Sequence, residues 1–239
     1  MDRTVLITGA DRGLGLGLAG LLLSQGWHVL AGQYFPAWPE LTGLLQQYPQ
    51  RLNLFPLDVA SMESVQTAAC SLANQVERLD VLINNAGVNS PTNERSIREG
   101  LDYADMHRLY DINALGPLRV VEAFLPILDR GGMKRLCFVS SEAGSIGRMT
   151  RTAWQPYCMS KAALNMGIQI LFNRLHPEGY TFRVYHPGWV RSYMGGQKNN
   201  QADLEPEQAA AYAIPFFLND LENEDHLSLI DYQGQTWPW

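Results

Sequence analysis

Tyrosine and lysine four residues apart, in Tyr157-Cys158-Met159-Ser160-Lys161, are the residues of this chain best suited to moving a proton. In a helix, positions i and i+4 share a face, about 6 Å apart along the axis. An ammonium held near a phenol favours the phenolate. Bringing a tyrosine from its ordinary pKa of about 10 to about 7 takes roughly 4 kcal/mol of differential stabilisation. The same spacing also suits an exposed helical pair, so its meaning depends on what else the chain places nearby.

Several groups of the right chemistry follow short apolar runs. Thr8-Gly9-Ala10-Asp11-Arg12-Gly13-Leu14-Gly15 leads from one such run into an apolar helix. Glycines there let the backbone approach a pyrophosphate, and the helix start offers free N–H groups to the anion. Gly15-Leu16-Gly17-Leu18-Ala19-Gly20 matches GxGxxG literally, but it begins inside the helix. Its glycines are read as helix–sheet packing, not as a phosphate loop. The second run ends in Gly32-Gln33-Tyr34, with no acid to take up a free ribose 2′-hydroxyl. Arg12 is the available cation for a 2′-phosphate, so NADP(H) is expected over NAD(H). Asn113 lies in a predicted helix four residues before Pro117. Proline has no N–H for the Asn113 carbonyl, which is left open to a water or a side chain.

The elements that must position these groups alternate. Predicted strands cover 5–8, 28–32, 52–57, 81–84, 136–140, 182–185 and 227–230, and predicted helices cover 61–78, 103–129, 157–175 and 206–218. The alternation implies βαβ units and an α/β, doubly wound, mainly parallel sheet buried on both faces. Ligands of such sheets bind at the carboxyl ends of the strands. The 239 residues suit one domain, 1–239, with a polar, lid-like stretch at about 191–206.

Composition narrows the function. A net charge of −6 argues against nucleic acid as partner. The longest apolar run, 14–23, is far short of the ~20 residues of a membrane span. Cys70, Cys137 and Cys158 show no metal-ligand spacing, no metal is expected, and reduced thiols point to the cytoplasm. Cys158 is read as a packing residue, and Trp237-Pro238-Trp239 as docking on the body or on a second subunit.

Taken in order, these motifs resemble the short-chain dehydrogenase/reductase family. The resemblance rests on the glycine turn, Asp58-Val59, Asn84-Asn85-Ala86-Gly87, Ser140-Ser141-Glu142-Ala143-Gly144, Tyr157 with Lys161, and Pro187-Gly188-Trp189-Val190-Arg191-Ser192, and it covers nearly the whole chain. Within the family, the glycine turn, His186 to Val190 and the tail from Asp231 are similar to Sniffer-type carbonyl reductases and C-factor-like proteins. The resemblance implies a Rossmann-type, seven-stranded parallel sheet with helices on both faces.

It further implies a catalytic set of Asn113, Ser141, Tyr157 and Lys161. Ser141 would orient a substrate carbonyl and Tyr157 would act as general acid/base. Lys161 would lower the Tyr157 pKa, helped by the positive nicotinamide ring, and bind ribose hydroxyls; Asn113 would hold a relay water. Cofactor contacts are implied at Gly9, Asp11, Arg12, Gly13, Leu14, Gly15, Gln33, Asp58, Val59, Asn85, Ala86, Gly87, Pro187, Gly188, Val190 and Ser192, besides Tyr157 and Lys161. The expected reaction is reversible reduction of a small ketone or aldehyde to an alcohol, in a homodimer or homotetramer. The chain departs from the pattern in about three extra residues within 148–156. Two rivals stay open: a non-catalytic NADP(H) sensor or signalling protein, and a sugar- or acyl-carrier-type reductase.

Overall fold

The computed structural model describes residues 3–36 and 38–239. Its strands are β1 (Thr4–Thr8), β2 (His28–Gln33), β3 (Leu52–Pro56), β4 (Val81–Asn84), β5 (Arg135–Val139), β6 (Thr181–His186), β7 (Leu229–Asp231) and β8 (Thr236–Trp237). They form one sheet in the order β3-β2-β1-β4-β5-β6-β7-β8. The first seven are parallel, in agreement with the sequence reading. The eighth was not expected: β8 runs antiparallel to β7, pairing Leu229 with Trp237 and Ile230 with Thr236. Gly234 at φ +82 lies in the tight turn between them, which a two-residue strand cannot announce in a sequence.

The helices are α1 (Gly13–Ser24), α2 (Pro39–Gln47), α3 (Met62–Ala73), α4 (Tyr103–Tyr110), α5 (Gly116–Leu128), α6 (Gln155–Leu175) and α7 (Pro206–Leu218). One core lies between the sheet and α3, α5 and α6, around Leu82, Phe124, Phe138 and Ile168. The other lies between the sheet and α1, α2 and α7, around Ile7, Leu18, Val29, Leu41 and Phe217. β1 is buried at all five positions, as expected of a strand covered on both faces.

Two predicted features resolve differently. The stretch 103–129 is two helices joined by a π-helical turn, Asp111–Leu115, in which Gly116 N–H bonds to the Asp111 carbonyl. Pro117 cannot serve the Asn113 carbonyl, and the chain accommodates this by one wide turn instead of a simple kink. The literal GxGxxG glycines do not all pack on the sheet. A Cβ on Gly17 would stand 2.7 Å from the Pro206 carbonyl oxygen, so this glycine lets α1 touch the start of α7. The tail docks on the body: the Ser145 hydroxyl donates to the Pro238 carbonyl and Gly147 N–H to the Trp239 carbonyl. Among the described residues, no helix is long and apolar enough to cross a membrane.

Candidate active site

The strand order reverses between β1 and β4, which opens a crevice at their carboxyl ends. Gly9 turns the chain there with φ +62, and a Cβ on it would stand 3.0 Å from Ala86 Cα. Thr8 joins the two loops: its Oγ1 accepts from Asn85 N–H at 3.0 Å and Ala86 N–H at 2.9 Å. The Asn85 amide donates back to the carbonyls of Thr8 and Gly9. Asn85, Ala86 and Gly87 thus meet the glycine turn, with Thr8 as a positioning residue that sequence reasoning passed over. Its signal was present, since Thr8 opens the motif.

The start of α1 is open. Arg12 occupies the N-cap without a capping side chain, and the first turn, containing Gly13, Leu14 and Gly15, holds no acid. Uncompensated N–H groups at the positive end of a twelve-residue helix suit an anion. Gly13 faces Ser192, which brings the segment after β6 against this turn. The glycine turn therefore fits a dinucleotide pyrophosphate on geometry of its own.

At the end of β2, where the adenosine is expected, burial and ring contacts set the side chains. The Asp11 carboxylate is turned inward, accepts from Tyr34 N–H at 3.3 Å, and lies 3.8 Å from Arg12 Nε. Burial raises the Asp11 pKa, a rise that the Tyr34 hydrogen bond and Arg12 only partly offset. The Arg12 guanidinium sits 4.2 Å from the Phe35 ring centroid, 5.3 Å from Trp38 and 5.4 Å from Tyr193. Cation–π contact holds it in place while its hydrogen-bond donors stay uncommitted to any described acceptor but Asp11. Gln33 ends β2 with its carbonyl bonded to Leu57 N–H. Asp58 accepts from Ala60 N–H, and Val59 packs on Gly116.

The carboxyl ends of β4, β5 and β6 carry the chemical groups. Lys161 is 3% exposed, and its Nζ donates to the Val139 carbonyl at 3.1 Å, its one hydrogen bond among the described residues. Burial lowers its pKa to about 8. Its Nζ lies over the Tyr157 ring, 5.7 Å from the ring centroid. Burial raises the Tyr157 phenol above its usual range, and a hydrogen bond with Ser141 draws it part of the way back. The single Ser141 proton has an alternative acceptor in Glu142 Oε2, at 2.9 Å, and the Ser141 oxygen accepts from Ala143 N–H. Ser140 is held behind it by Asn165 at 2.6 Å.

Asn113 is fully buried on the π-helical turn. Its side chain accepts from Val88 N–H and donates to the Val88 carbonyl and the Ser160 hydroxyl. Its amide oxygen and the Lys161 ammonium both border Gly87. The structure therefore gathers Asn113, Ser141, Tyr157 and Lys161 at one place. Burial raises the Cys158 thiol, which disfavours its thiolate.

Pro187 and Gly188 turn the chain out of β6, with Gly188 at φ +79 against Tyr232. Val190 bridges Leu204 in parallel fashion. Segment 191–206 is tied down at several points. Arg191 bonds Ala202 and Glu205, the Met194 carbonyl accepts from Asn89 N–H, and Tyr193 meets Trp38 edge-on at 5.2 Å. Trp38 and Tyr193 are thus neighbours of the glycine turn that no local motif marks.

Known proteins match this arrangement. The family described as short chain dehydrogenase matches residues 3–203. The C-signal of Myxococcus xanthus is 42% identical over 161 residues, 67% of this chain and 93% of that protein. The NADPH-bound carbonyl reductase from chicken fatty liver is 28% identical, with a TM-score of 0.87 over 100% of this chain and 99% of that one. The carbonyl reductase Sniffer of D. melanogaster, at 24% identity, shares the fold with a TM-score of 0.89 over the whole of both chains.

Proposed function

The chain belongs to the short chain dehydrogenase family of oxidoreductases, and from that premise we propose that it reversibly reduces a ketone or aldehyde with NADP(H). The observation that carries the reading is the convergence of the Tyr157 phenol, the Ser141 hydroxyl and the buried Lys161 ammonium at the strand ends. The nicotinamide, when bound, supplies the hydride. Tyr157 donates the proton to the carbonyl oxygen and Ser141 orients that oxygen. Fixed donors facing the developing alkoxide provide most of the rate. Lys161 binds the nicotinamide ribose and favours the phenolate. Since the Asn113 side chain is committed to Val88 and Ser160, a relay water belongs on its main-chain carbonyl. The start of α1 would hold the pyrophosphate, and segment 191–206 would cover cofactor and substrate.

NADP(H) is preferred to NAD(H) in this reading. Arg12 is preoriented by three aromatic rings with donors to spare, and no acid stands at Gln33. The chicken protein's NADPH supports the same choice. Two copies pair through α4 and α6, where Tyr103, Met159, Met166 and Ile170 expose apolar surface. A cytoplasmic location belongs to the same reading.

The test is cofactor oxidation by purified protein, with NADPH and NADH side by side, over aldehydes, ketones and quinones. Turnover with NADPH that disappears in Tyr157→Phe supports the enzyme. Tight NADPH binding without turnover on any carbonyl favours a signalling role, to which the likeness to the C-signal lends weight.

A further inference from the structure

Segment 148–156 carries side chains that reach Glu142, the partner of the Ser141 hydroxyl, and the ring of Tyr157. Arg151 Nη2 lies 2.5 Å from Glu142 Oε1. The other carboxylate oxygen, Oε2, accepts the Ser141 hydroxyl at 2.9 Å. The Arg151 guanidinium also lies 5.5 Å from the Trp154 ring, and Trp154 meets the Tyr157 ring edge-on at 6.3 Å. Contacts therefore run from Ser141 through Glu142, Arg151 and Trp154 to Tyr157.

This circuit is held at a cost. Trp154 has φ +72, in the left-handed region that a bulky residue avoids. Its backbone N–H donates to Asn93 at 2.7 Å and its indole N–H to Glu94 at 2.8 Å. Such a backbone persists only where its surroundings over-determine it, and it turns the segment so that Trp154 backs Tyr157.

We propose that Glu142 and Arg151 form a positioning pair, which orients the Ser141 hydroxyl and keeps the charge beside the Tyr157 phenol near balance. The proposal rests on the reading of Tyr157 as general acid/base. Neither partner delivers a proton; each acts through Ser141 and Tyr157. A carboxylate beside a phenol disfavours the phenolate and a guanidinium favours it, so the two partners work in opposite directions. Burial raises Tyr157 most, Ser141 lowers it, Glu142 and Cys158 raise it, and Arg151 lowers it. Lys161 lies over the ring. His186, at the end of β6, faces Glu142, Asp231, Arg151 and Lys161, and burial lowers its pKa toward the neutral form.

The opposite signs make the test. Tyrosine Cζ is labelled with carbon-13 in the NADP⁺-bound protein, and the Tyr157 signal is assigned by its loss in Tyr157→Phe. Its titration is followed by NMR in wild type, Glu142→Gln, Arg151→Met and Arg151→Lys. Glu142→Gln should lower the phenol pKa by at least about half a unit, Arg151→Met should raise it by as much, and Arg151→Lys should stay within about 0.3 unit of wild type. The pH profile of alcohol oxidation by NADP⁺ should move in the same directions. A purely structural role would lower the unfolding midpoints and shift the phenol in neither variant. Shifts of one sign in both variants, or no shift in either, overturn the proposal. Opposite shifts in a protein without turnover support the pair and overturn the enzymatic reading instead.

Discussion

On β5 and β6, facing the end of α7, Arg135 and Arg183 are 2% and 0% exposed. At the carboxyl ends of the same strands lies Lys161, 3% exposed. The arginines are densely partnered. Arg183 bonds the carbonyls of Phe182, Phe216 and Asn219 and both oxygens of Glu224. Arg135 bonds Thr181, the carbonyls of Phe217, Leu218 and Asn219, and Asp220. The carbonyls at a helix end carry partial negative charge, so two cations there complete α7. Lys161 has three donors and, among the described residues, one hydrogen bond. A densely partnered buried charge fixes structure, whereas a buried charge left short of partners is available to a ligand or a reaction.

If that contrast is right, damage at the two ends should register on different scales. Tyr157→Phe should cut carbonyl reduction by about 10³-fold or more, the upper part of what general acid catalysis contributes, with an unfolding midpoint near wild type. Arg183→Met should do the reverse. Stranding Glu224 and the α7 carbonyls should cost about 3–5 kcal/mol in chemical denaturation, while KM in the folded fraction stays close to wild type. Lys161→Met should lose about 10²-fold in turnover and unfold no more readily than wild type, because it removes a buried, poorly paired ammonium.

The pH dependence separates the ends further. The folded pKa of Lys161, about 8, lies below its ordinary 10.5. Between those values the unfolded chain binds more protons, so stability should rise with pH there in wild type relative to Lys161→Met. Glu224 adds a limb of the same slope at acid pH, from a charge the fold favours rather than disfavours. Burial pushes its carboxyl up, but the Arg183 hydrogen bonds, the Leu221 N–H and the charges of Arg183 and Arg135 together outweigh that and leave it below the ordinary 4.5. Its contribution is present above pH 4.5 and should fade as pH falls through the folded value. Denaturation curves from pH 3 to 10 should show both limbs, and a wild-type-like alkaline limb in Lys161→Met would break the comparison. The smallest effect belongs to Arg12→Ala, which should reduce the preference for NADPH over NADH by about tenfold, in line with one lost charge-assisted contact.

The parts of the molecule legible in sequence share one property: they are written in consecutive residues. A strand followed by Thr8 to Gly15, Asn84 to Gly87, or Ser140 and Ser141 specifies a backbone course locally, and the order of such motifs implied the parallel sheet and the place of the crevice. Asn113 and Pro117 announced an irregular helix for the same reason, although only the folded chain shows a π-helical turn. Strand β8 escaped notice because two residues carry no period and their partner β7 exists only in the sheet. The contacts that set side-chain chemistry escaped as well. The enclosure of Arg12 draws on Phe35, Trp38 and Tyr193, and the ends of α7 and β5 meet through Arg135. Arg151 reads as a surface cation until the fold sets it against Glu142. Local backbone geometry follows from neighbours in the chain, but burial and charge pairing depend on which distant segments share a space, and that is decided only when the layers pack.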